Sequence, residues 1–120
     1  MDVKDLEFFR AYLTKMVDDL QRQGEATLED MSENTEYYSD PADRASAESD
    51  RSFTLRLRDR DRKLVRKINE ALARIDDGSF GICEDCGENI GVPRLKARPV
   101  TTLCIDCKSR REEEERLRGD

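Results

Sequence analysis

Histidine is absent from this chain of 120 residues. A metal site in it would therefore have to be rich in thiolates. No apolar run approaches the roughly 18 residues that a membrane-spanning helix needs. The chain also lacks a positively charged start followed by an apolar segment, which is the pattern of a secretory signal. We therefore predict a cytoplasmic protein that does not associate with membranes.

Large apolar side chains are scarce. Leu, Ile, Val and Phe together account for 25 of the 120 residues, whereas 42% of the residues are charged. That apolar fraction is barely above the range in which chains remain disordered, so a thick globular core is excluded. A pair of helices that bury one seam each suits this composition. The length allows one ordinary domain at most, or a small domain with an extension.

An excess of positive charge is missing as well, because the net charge is −6. Tight binding to free nucleic acid depends mostly on neutralised phosphates, so this balance argues against it. The charges are unevenly distributed: residues 1–39 carry 4 basic and 10 acidic side chains, whereas Arg51–Lys67 carries eight basic and two acidic ones. An acidic helix beside a more basic one favours antiparallel pairing.

Two stretches show helical hydrophobic periodicity. The first has apolar residues at spacings of 3, 4, 3 and 4, namely Leu6, Phe9, Leu13, Met16 and Leu20. The second contains Phe53, Leu57, Leu64, Ile68, Ala71 and Ile75, and its missing member falls at Arg60 or Asp61. These heptad-like seams predict an antiparallel coiled-coil hairpin over residues 1–77, with a tip loop near 37–45. Arms of about thirty residues would make it roughly 50 Å long.

The chain changes character over residues 78–108, where glycine, proline and all four cysteines are concentrated. The cysteines follow the spacing C-x2-C-x17-C-x2-C and are Cys83, Cys86, Cys104 and Cys107. Four thiolates at this spacing predict a tetrahedral Zn²⁺ site that is structural, since no ligand position remains for substrate water. A thioredoxin-like dithiol is the alternative, but it needs only one C-x-x-C pair within a βαβ pattern. Gly78 is the predicted end of the second helix.

Residues 109–120 form alternating charge blocks, which predict a short exposed helix or tail. We therefore predict a mainly α fold: an antiparallel coiled-coil helical hairpin, a small four-cysteine zinc-ribbon-like unit and a short C-terminal helix.

The predicted tip, YYSDPADRA, allows two interpretations. Asp40 followed by Pro41 is a typical start of a helix, with Asp43 favourably placed in the first turn. The same two carboxylates would also lie at the far end of a long hairpin, where they could act on a partner. Local physics alone leaves both interpretations open.

The motifs in combination resemble one known family. The hairpin carries DPADRA at its turn and RDRDRKLVRKI on its second arm, followed by FGICEDCGENIG, RLKARP and LCIDCK. From about Leu6 to Lys108 the chain is similar to the DksA/TraR family of bacterial RNA-polymerase-binding transcription factors. The family's tip pattern D-x-x-D-x-A matches Asp40, Asp43 and Ala45, and the four-cysteine site is complete.

This resemblance implies a non-enzymatic factor, expected as a monomer, that inserts its coiled coil into the secondary channel of RNA polymerase. Asp40, Asp43 and Ala45 would act on polymerase elements near the catalytic centre. Such factors bind no promoter sequence themselves. They inhibit ribosomal RNA promoters and stimulate some biosynthetic promoters during starvation.

The family also works with guanosine tetraphosphate (ppGpp), which is bound between factor and polymerase. The matching positions are Leu64, Lys67, Arg98 and Lys108, and Arg60 matches a position implicated in polymerase docking. The chain starts just before the first coiled-coil helix, so contacts made by the longer N-terminal region of some members are not expected.

Three other classes remain as alternatives, one of which is a scaffold whose coiled coil and zinc ribbon bind some other protein. Transcript-cleavage factors also enter the secondary channel with a hairpin, and they hold a catalytic magnesium with tip acids. A zinc-ribbon protein that binds DNA directly is the remaining alternative.

Overall fold

The computed structural model describes residues 1–34 and 40–119, and it describes side chains for residues 1–26 and 40–119. The described residues form four helices: α1 (Val3–Asn34), α2 (Pro41–Asp77), α3 (Val92–Ala97) and α4 (Ile105–Arg118). Within these ranges no strand occurs, and an isolated antiparallel bridge joins Ile82 to Asn89. The predicted fold is confirmed: it is mainly α, with an antiparallel helical hairpin, a four-cysteine unit and a short C-terminal helix.

The chain divides into two compact units. One unit combines Met1–Thr14 with Ile68–Asp120, and the other is Lys15–Lys67. We call the first the base unit and the second the arm unit. The base unit thus contains the start of α1, the end of α2 and the entire cysteine region, whereas the arm unit contains only helical-hairpin sequence and the tip.

The base unit has a small hydrophobic core. Phe9 and Leu13 of α1 have no exposed surface, and neither have Ile68 and Ala71 of α2. The remaining buried side chains come from the end of α2 and from the cysteine region: Ile75, Phe80, Cys83, Ile90, Leu95, Leu103 and Cys107. A fully buried aliphatic or aromatic side chain contributes about 1.5–3 kcal/mol, so this cluster supplies most of the stabilisation from burial.

The helical hairpin and the cysteine region share this core. The ring of Phe9 lies 5.3 Å from that of Phe80, measured between centroids, at an interplanar angle of 53°. Just before Phe80, α2 ends because Gly78 adopts φ +84°, and the Arg74 carbonyl accepts bonds from the amides of Ser79 and Phe80. Gly78 is therefore the helix terminator that the sequence predicts. Without this turn, the chain could not bring Phe80 back onto Phe9.

The arm unit has a more polar seam. Half-buried side chains on α1 include Met16, Val17 and Leu20. On α2 the half-buried positions include Thr54, Arg58, Asp61, Leu64 and Val65. Among the side chains described between residues 15 and 67, none is fully buried. Packing in this unit therefore depends on partly covered residues, several of which are charged or polar.

Part of the predicted seam is wrong. Phe53 is 56% exposed and Leu57 is 41% exposed, although both were expected to face α1. The seam here is displaced by one residue to Thr54, Arg58 and Asp61, which keep the same 4 and 3 spacing. The series that starts at Phe53 and the series that starts at Thr54 have the same period. The period alone therefore does not predict which of them faces α1. The expected polar position is confirmed at Asp61, whereas Arg60 is exposed.

Residues 37–39 of the predicted tip lie outside the described residues. Across the described helices, no segment is both long enough and apolar enough to cross a membrane.

Candidate metal centre and hairpin tip

The first C-x-x-C pair lies in a tight loop between Gly81 and Ile90. The Cys83 amide donates to the Glu88 carbonyl at 2.8 Å, and the Gly87 amide donates to the Cys83 carbonyl at 3.0 Å. Gly87 can close this turn because it adopts φ +74°, a conformation that other residues rarely take. The loop thereby places the sulfurs of Cys83 and Cys86 on the same side.

The second pair begins α4. Cys104 is the N-cap residue, and its Sγ accepts a hydrogen bond from the Cys107 amide at 3.5 Å. The Lys108 amide donates to the Cys104 carbonyl at 3.0 Å and so starts the helical hydrogen bonding.

Backbone and side-chain bonds hold the two pairs together. The Glu84 amide donates to the Thr102 carbonyl at 2.9 Å. The Arg94 Nε on α3 donates to the Leu103 carbonyl at 3.0 Å, and it thus supports the segment that leads to Cys104. These contacts align the first loop with the start of α4.

The sulfur atoms of all four cysteines lie close together. The Sγ atoms of the four predicted ligands lie within 4.8 Å of one another, and those of Cys86 and Cys104 are 3.8 Å apart. Zinc–sulfur bonds of about 2.3 Å in a tetrahedron require sulfurs about 3.8 Å apart. The donor set therefore fits a four-coordinate Zn²⁺ ion. Since protein ligands fill every position, the arrangement is that of a structural site.

The electrostatics of the sulfur cluster also fit a cation. Backbone N–H groups of Cys104, and then of Cys86, lower the pKa of Cys83 to about 6. The thiol of Cys104, together with burial and the other sulfurs, raises the pKa of Cys107 to about 12. Four sulfurs so close together resist losing all their protons unless positive charge is placed among them, which a divalent ion provides.

Two arginines on α4 were not singled out in the sequence. Arg110 Nη2 lies 3.7 Å from Cys107 Sγ. Arg111 forms a bidentate pair with Asp85, in which Nε lies 2.8 Å from Oδ2 and Nη2 bonds Oδ1. Hydrogen bonds to Asp85, and the charge of that carboxylate, raise the pKa of Arg111. Their position three and four residues after the last cysteine, within a helical turn, was the available signal.

The described part of the tip has the capping geometry predicted from the sequence. Asp40 Oδ1 accepts from the Ala42 amide at 3.0 Å, and the Asp40 carbonyl accepts from the Arg44 amide at 2.9 Å. Pro41 is the first residue of α2. Asp43, in the first turn, and Ala45 are both exposed. Asp40 thus has a structural role at the start of the helix, whereas Asp43 presents its carboxylate to solvent.

The other predicted site residues are distributed between the two units. Leu64 is half-buried in the arm unit, and Arg60 and Lys67 are exposed there. In the base unit, Arg98 is exposed at the end of α3. Lys108 is half-buried on α4, with its Nζ 3.9 Å from Glu112 Oε1.

A groove in the arm unit was not predicted from the sequence. It has a volume of about 640 Å³, and its lining includes Leu20 and Gly24 on α1 and Arg58, Asp61 and Val65 on α2. Arg58 Nη1 is buried there without a hydrogen-bond partner among the described residues. Gly24 lacks the side chain that a heptad seam would normally supply, so the guanidinium of Arg58 lies over its backbone.

Family comparisons match almost the whole chain. Residues 5–75 match the DnaK suppressor protein DksA, N-terminal domain, and residues 78–113 match the prokaryotic dksA/traR C4-type zinc finger. The second match contains all four clustered cysteines, which supports a structural zinc ion.

Individual relatives agree with this assignment. The chain is 43% identical over 120 residues to the RNA polymerase-binding transcription factor DksA of Caulobacter vibrioides, covering 100% of this chain and 84% of that protein. It is 42% identical over 109 residues to the protein of the same name from Escherichia coli K12, covering 91% and 72%.

A solved structure is also similar. The transcription factor DksA2 from Pseudomonas aeruginosa matches with a TM-score of 0.87 and 43% identity, covering 97% of this chain and 89% of that one. The fold of the chain is thus similar to that of a solved transcription factor. From these matches, the chain belongs to the DksA/TraR family.

Proposed function

We propose that this protein is a non-enzymatic transcription factor that binds bacterial RNA polymerase. The observation that carries the proposal is the 43% identity, over all 120 residues, with a protein named as an RNA polymerase-binding transcription factor. The protein acts in the cytoplasm as a monomer, enters the secondary channel with the tip of its hairpin and reads no promoter sequence itself. Exposed Arg60 on α2 contributes to docking on the polymerase.

The tip acts through Asp40, Asp43 and Ala45. Asp40 caps α2 and so sets the direction of the helix start, whereas exposed Asp43 and Ala45 meet polymerase elements near the catalytic centre. We therefore expect substitution of Asp43 to reduce the effect on transcription without changing the fold. Glu48 is an exposed acid on the same helix with no proposed role, and it provides a matched control.

Asp43→Asn tests this role. We expect the variant to keep its melting temperature and its affinity for polymerase, but to lose its effect on transcription in vitro. Glu48→Gln should retain that effect, because its carboxylate lies farther along α2. If Asp43→Asn kept full activity, the proposed role of the tip would be wrong.

The effector is ppGpp, bound by Leu64, Lys67, Arg98 and Lys108 together with the polymerase. Cationic side chains suit this ligand because charge-assisted hydrogen bonds to phosphate are strong. Lys67→Ala should reduce the response to ppGpp more than the activity measured without it. Lys63→Ala removes another exposed lysine from α2 and is the control. Equal losses with and without ppGpp would contradict the assignment.

Transcription from a ribosomal RNA promoter and from a biosynthetic promoter, each with and without ppGpp, tests the function as a whole. We expect inhibition of the first and stimulation of the second. Accelerated RNA cleavage in a stalled elongation complex would instead favour a cleavage factor that uses the tip acids and magnesium. A salt-sensitive footprint on DNA without polymerase would favour a DNA-binding zinc ribbon.

A further inference from the structure

We propose that Arg110 and Arg111 of α4 are charged positioning residues of the zinc centre, which slow metal loss. This inference does not depend on the proposed transcriptional function, because it concerns the metal centre alone. Neither residue is a zinc ligand. Arg110 acts through the ligand Cys107. Arg111 acts through Asp85, which lies between two ligands in the sequence.

Arg110 acts directly on a sulfur. Its Nη2 lies 3.7 Å from Cys107 Sγ, within hydrogen-bonding distance for sulfur. Cys107 is only 2% exposed, so few other donors can approach it. A charged N–H group that points at a thiolate stabilises its negative charge.

Arg111 acts on the opposite knuckle. Asp85 lies between the first two cysteines in the sequence, and its carboxylate accepts two hydrogen bonds from Arg111 on α4. The pair therefore ties the loop of Cys83 and Cys86 to the helix that carries Cys107. Zinc dissociation requires the two knuckles to separate. This bidentate contact opposes that separation.

Both arginines offset a local excess of negative charge around the zinc centre. Four thiolates around one Zn²⁺ leave a net charge of about −2 on the centre. The knuckles add the carboxylates of Glu84, Asp85 and Asp106, and the next turn of α4 begins the acidic run at Glu112. In these negative surroundings, two guanidinium groups on one turn of α4 offset repulsion that would otherwise favour opening.

The exposure of the Asp85–Arg111 pair sets the size of the expected effect. The side chain of Arg111 is 50% exposed and that of Asp85 is 34% exposed. An exposed ion pair contributes little to stability, whereas groups that orient metal ligands change metal affinity by about 10- to 100-fold. Because the pair is exposed, we expect an effect at or below the lower end of that range, about three- to tenfold in the rate of zinc release.

Zinc transfer from the full-length protein to a chromogenic chelator measures that rate. Arg110→Gln and Arg111→Gln should each release zinc faster by about three- to tenfold. Arg116→Gln is the matched control, since it lies on the same helix and pairs only with Glu113 among the described contacts. Its release rate should equal that of the unmodified protein. Equal rates in all four proteins would overturn the proposal.

A second readout separates action on the sulfur from a general loss of stability. In the Co²⁺-substituted protein, removal of an N–H donor from Cys107 should shift the sulfur-to-cobalt charge-transfer band to lower energy. We expect this shift for Arg110→Gln, its partial reversal in Arg110→Lys, and no shift for Arg116→Gln. Faster release without any shift in Arg110→Gln would contradict the proposed contact with the sulfur.

The Asp85 link is tested with a double-mutant cycle. Asp85→Asn, Arg111→Gln and the double variant should all release zinc at similar rates, because each change breaks the same contact. If the two single changes were instead additive, Arg111 would not act through Asp85.

Discussion

The helical hairpin has a fully buried apolar seam in the base unit and a more polar, only partly buried seam in the arm unit. In the base unit, Phe9 and Leu13 of α1 have no exposed surface, and neither have Ile68 and Ala71 of α2. In the arm unit, the corresponding seam contains Gly24, Arg58 and Asp61, and none of its described side chains is fully buried. Stability and metal binding are thus concentrated in one unit, and the proposed tip residues belong to the other.

This contrast shows how a chain with few apolar residues can still fold. A core of eleven buried hydrophobic side chains among the described residues would be marginal for 120 residues, but a structural zinc ion adds binding free energy that appears as folding free energy. The arm unit has no such addition. Its hydrogen bonds are therefore expected to open more readily than those of the base unit.

Loss of a zinc ligand should have the largest effect. Cys83→Ser is expected to abolish stoichiometric zinc binding and to lower the melting temperature markedly, because structural zinc sites contribute about 10–16 kcal/mol of binding free energy. Metal analysis and hydrogen exchange would show whether the loss of protection is concentrated in the base unit. Chelation of zinc from the unmodified protein should give the same exchange pattern. An unchanged zinc content in Cys83→Ser would disprove the four-cysteine site.

Matched leucine truncations in α1 compare the packing of the two units directly. Leu13→Ala removes a side chain with no exposed surface and should cost about 2–5 kcal/mol in the free energy of unfolding. Leu20→Ala removes a half-buried side chain of the arm unit and should cost less than half as much. Urea denaturation measures both. Equal costs would show that the arm unit is packed as tightly as the base unit.

Gly24→Ala should stabilise the protein slightly. Gly24 lies inside α1, where alanine is favoured over glycine by about 0.5–1 kcal/mol. A Cβ atom there would lie 3.5 Å from Arg58 Nη2, which is an ordinary van der Waals distance. Thermal unfolding would measure the gain. A decrease in stability would mean that the guanidinium of Arg58 needs the bare backbone of Gly24.

The smallest expected effect concerns the end of α2 in the base unit. Asp77 Oδ1 accepts hydrogen bonds from the Ser79 hydroxyl at 2.6 Å and from its amide at 2.9 Å, and these bonds lower the pKa of Asp77 below 3.8. Because the pKa is lower in the folded state, the stabilisation is present above that ordinary value and is lost as pH falls through the folded pKa. Ser79→Ala should raise the pKa of Asp77, as measured by NMR titration of its carboxyl carbon.

The cysteine centre was predictable because its ligands are few and their spacing is specific. The helix start at Asp40 and the helix end at Gly78 were predictable for a related reason, since local backbone chemistry determines both. The displaced seam was not predictable in the same way. Phe53 and Leu57 have the right period and the right residue types, and only packing against α1 shows that the adjacent series faces inward.

Residue types and spacing by themselves determined that this chain forms a helical hairpin followed by a tetrahedral sulfur site. Helical periodicity, capping and thiolate coordination act over a few residues, so the linear order is sufficient for them. The tertiary structure alone decided that Arg111 pairs with Asp85 and that Arg58 lies over Gly24. Those contacts join residues up to 34 positions apart, and only the packing of separate segments brings such residues together.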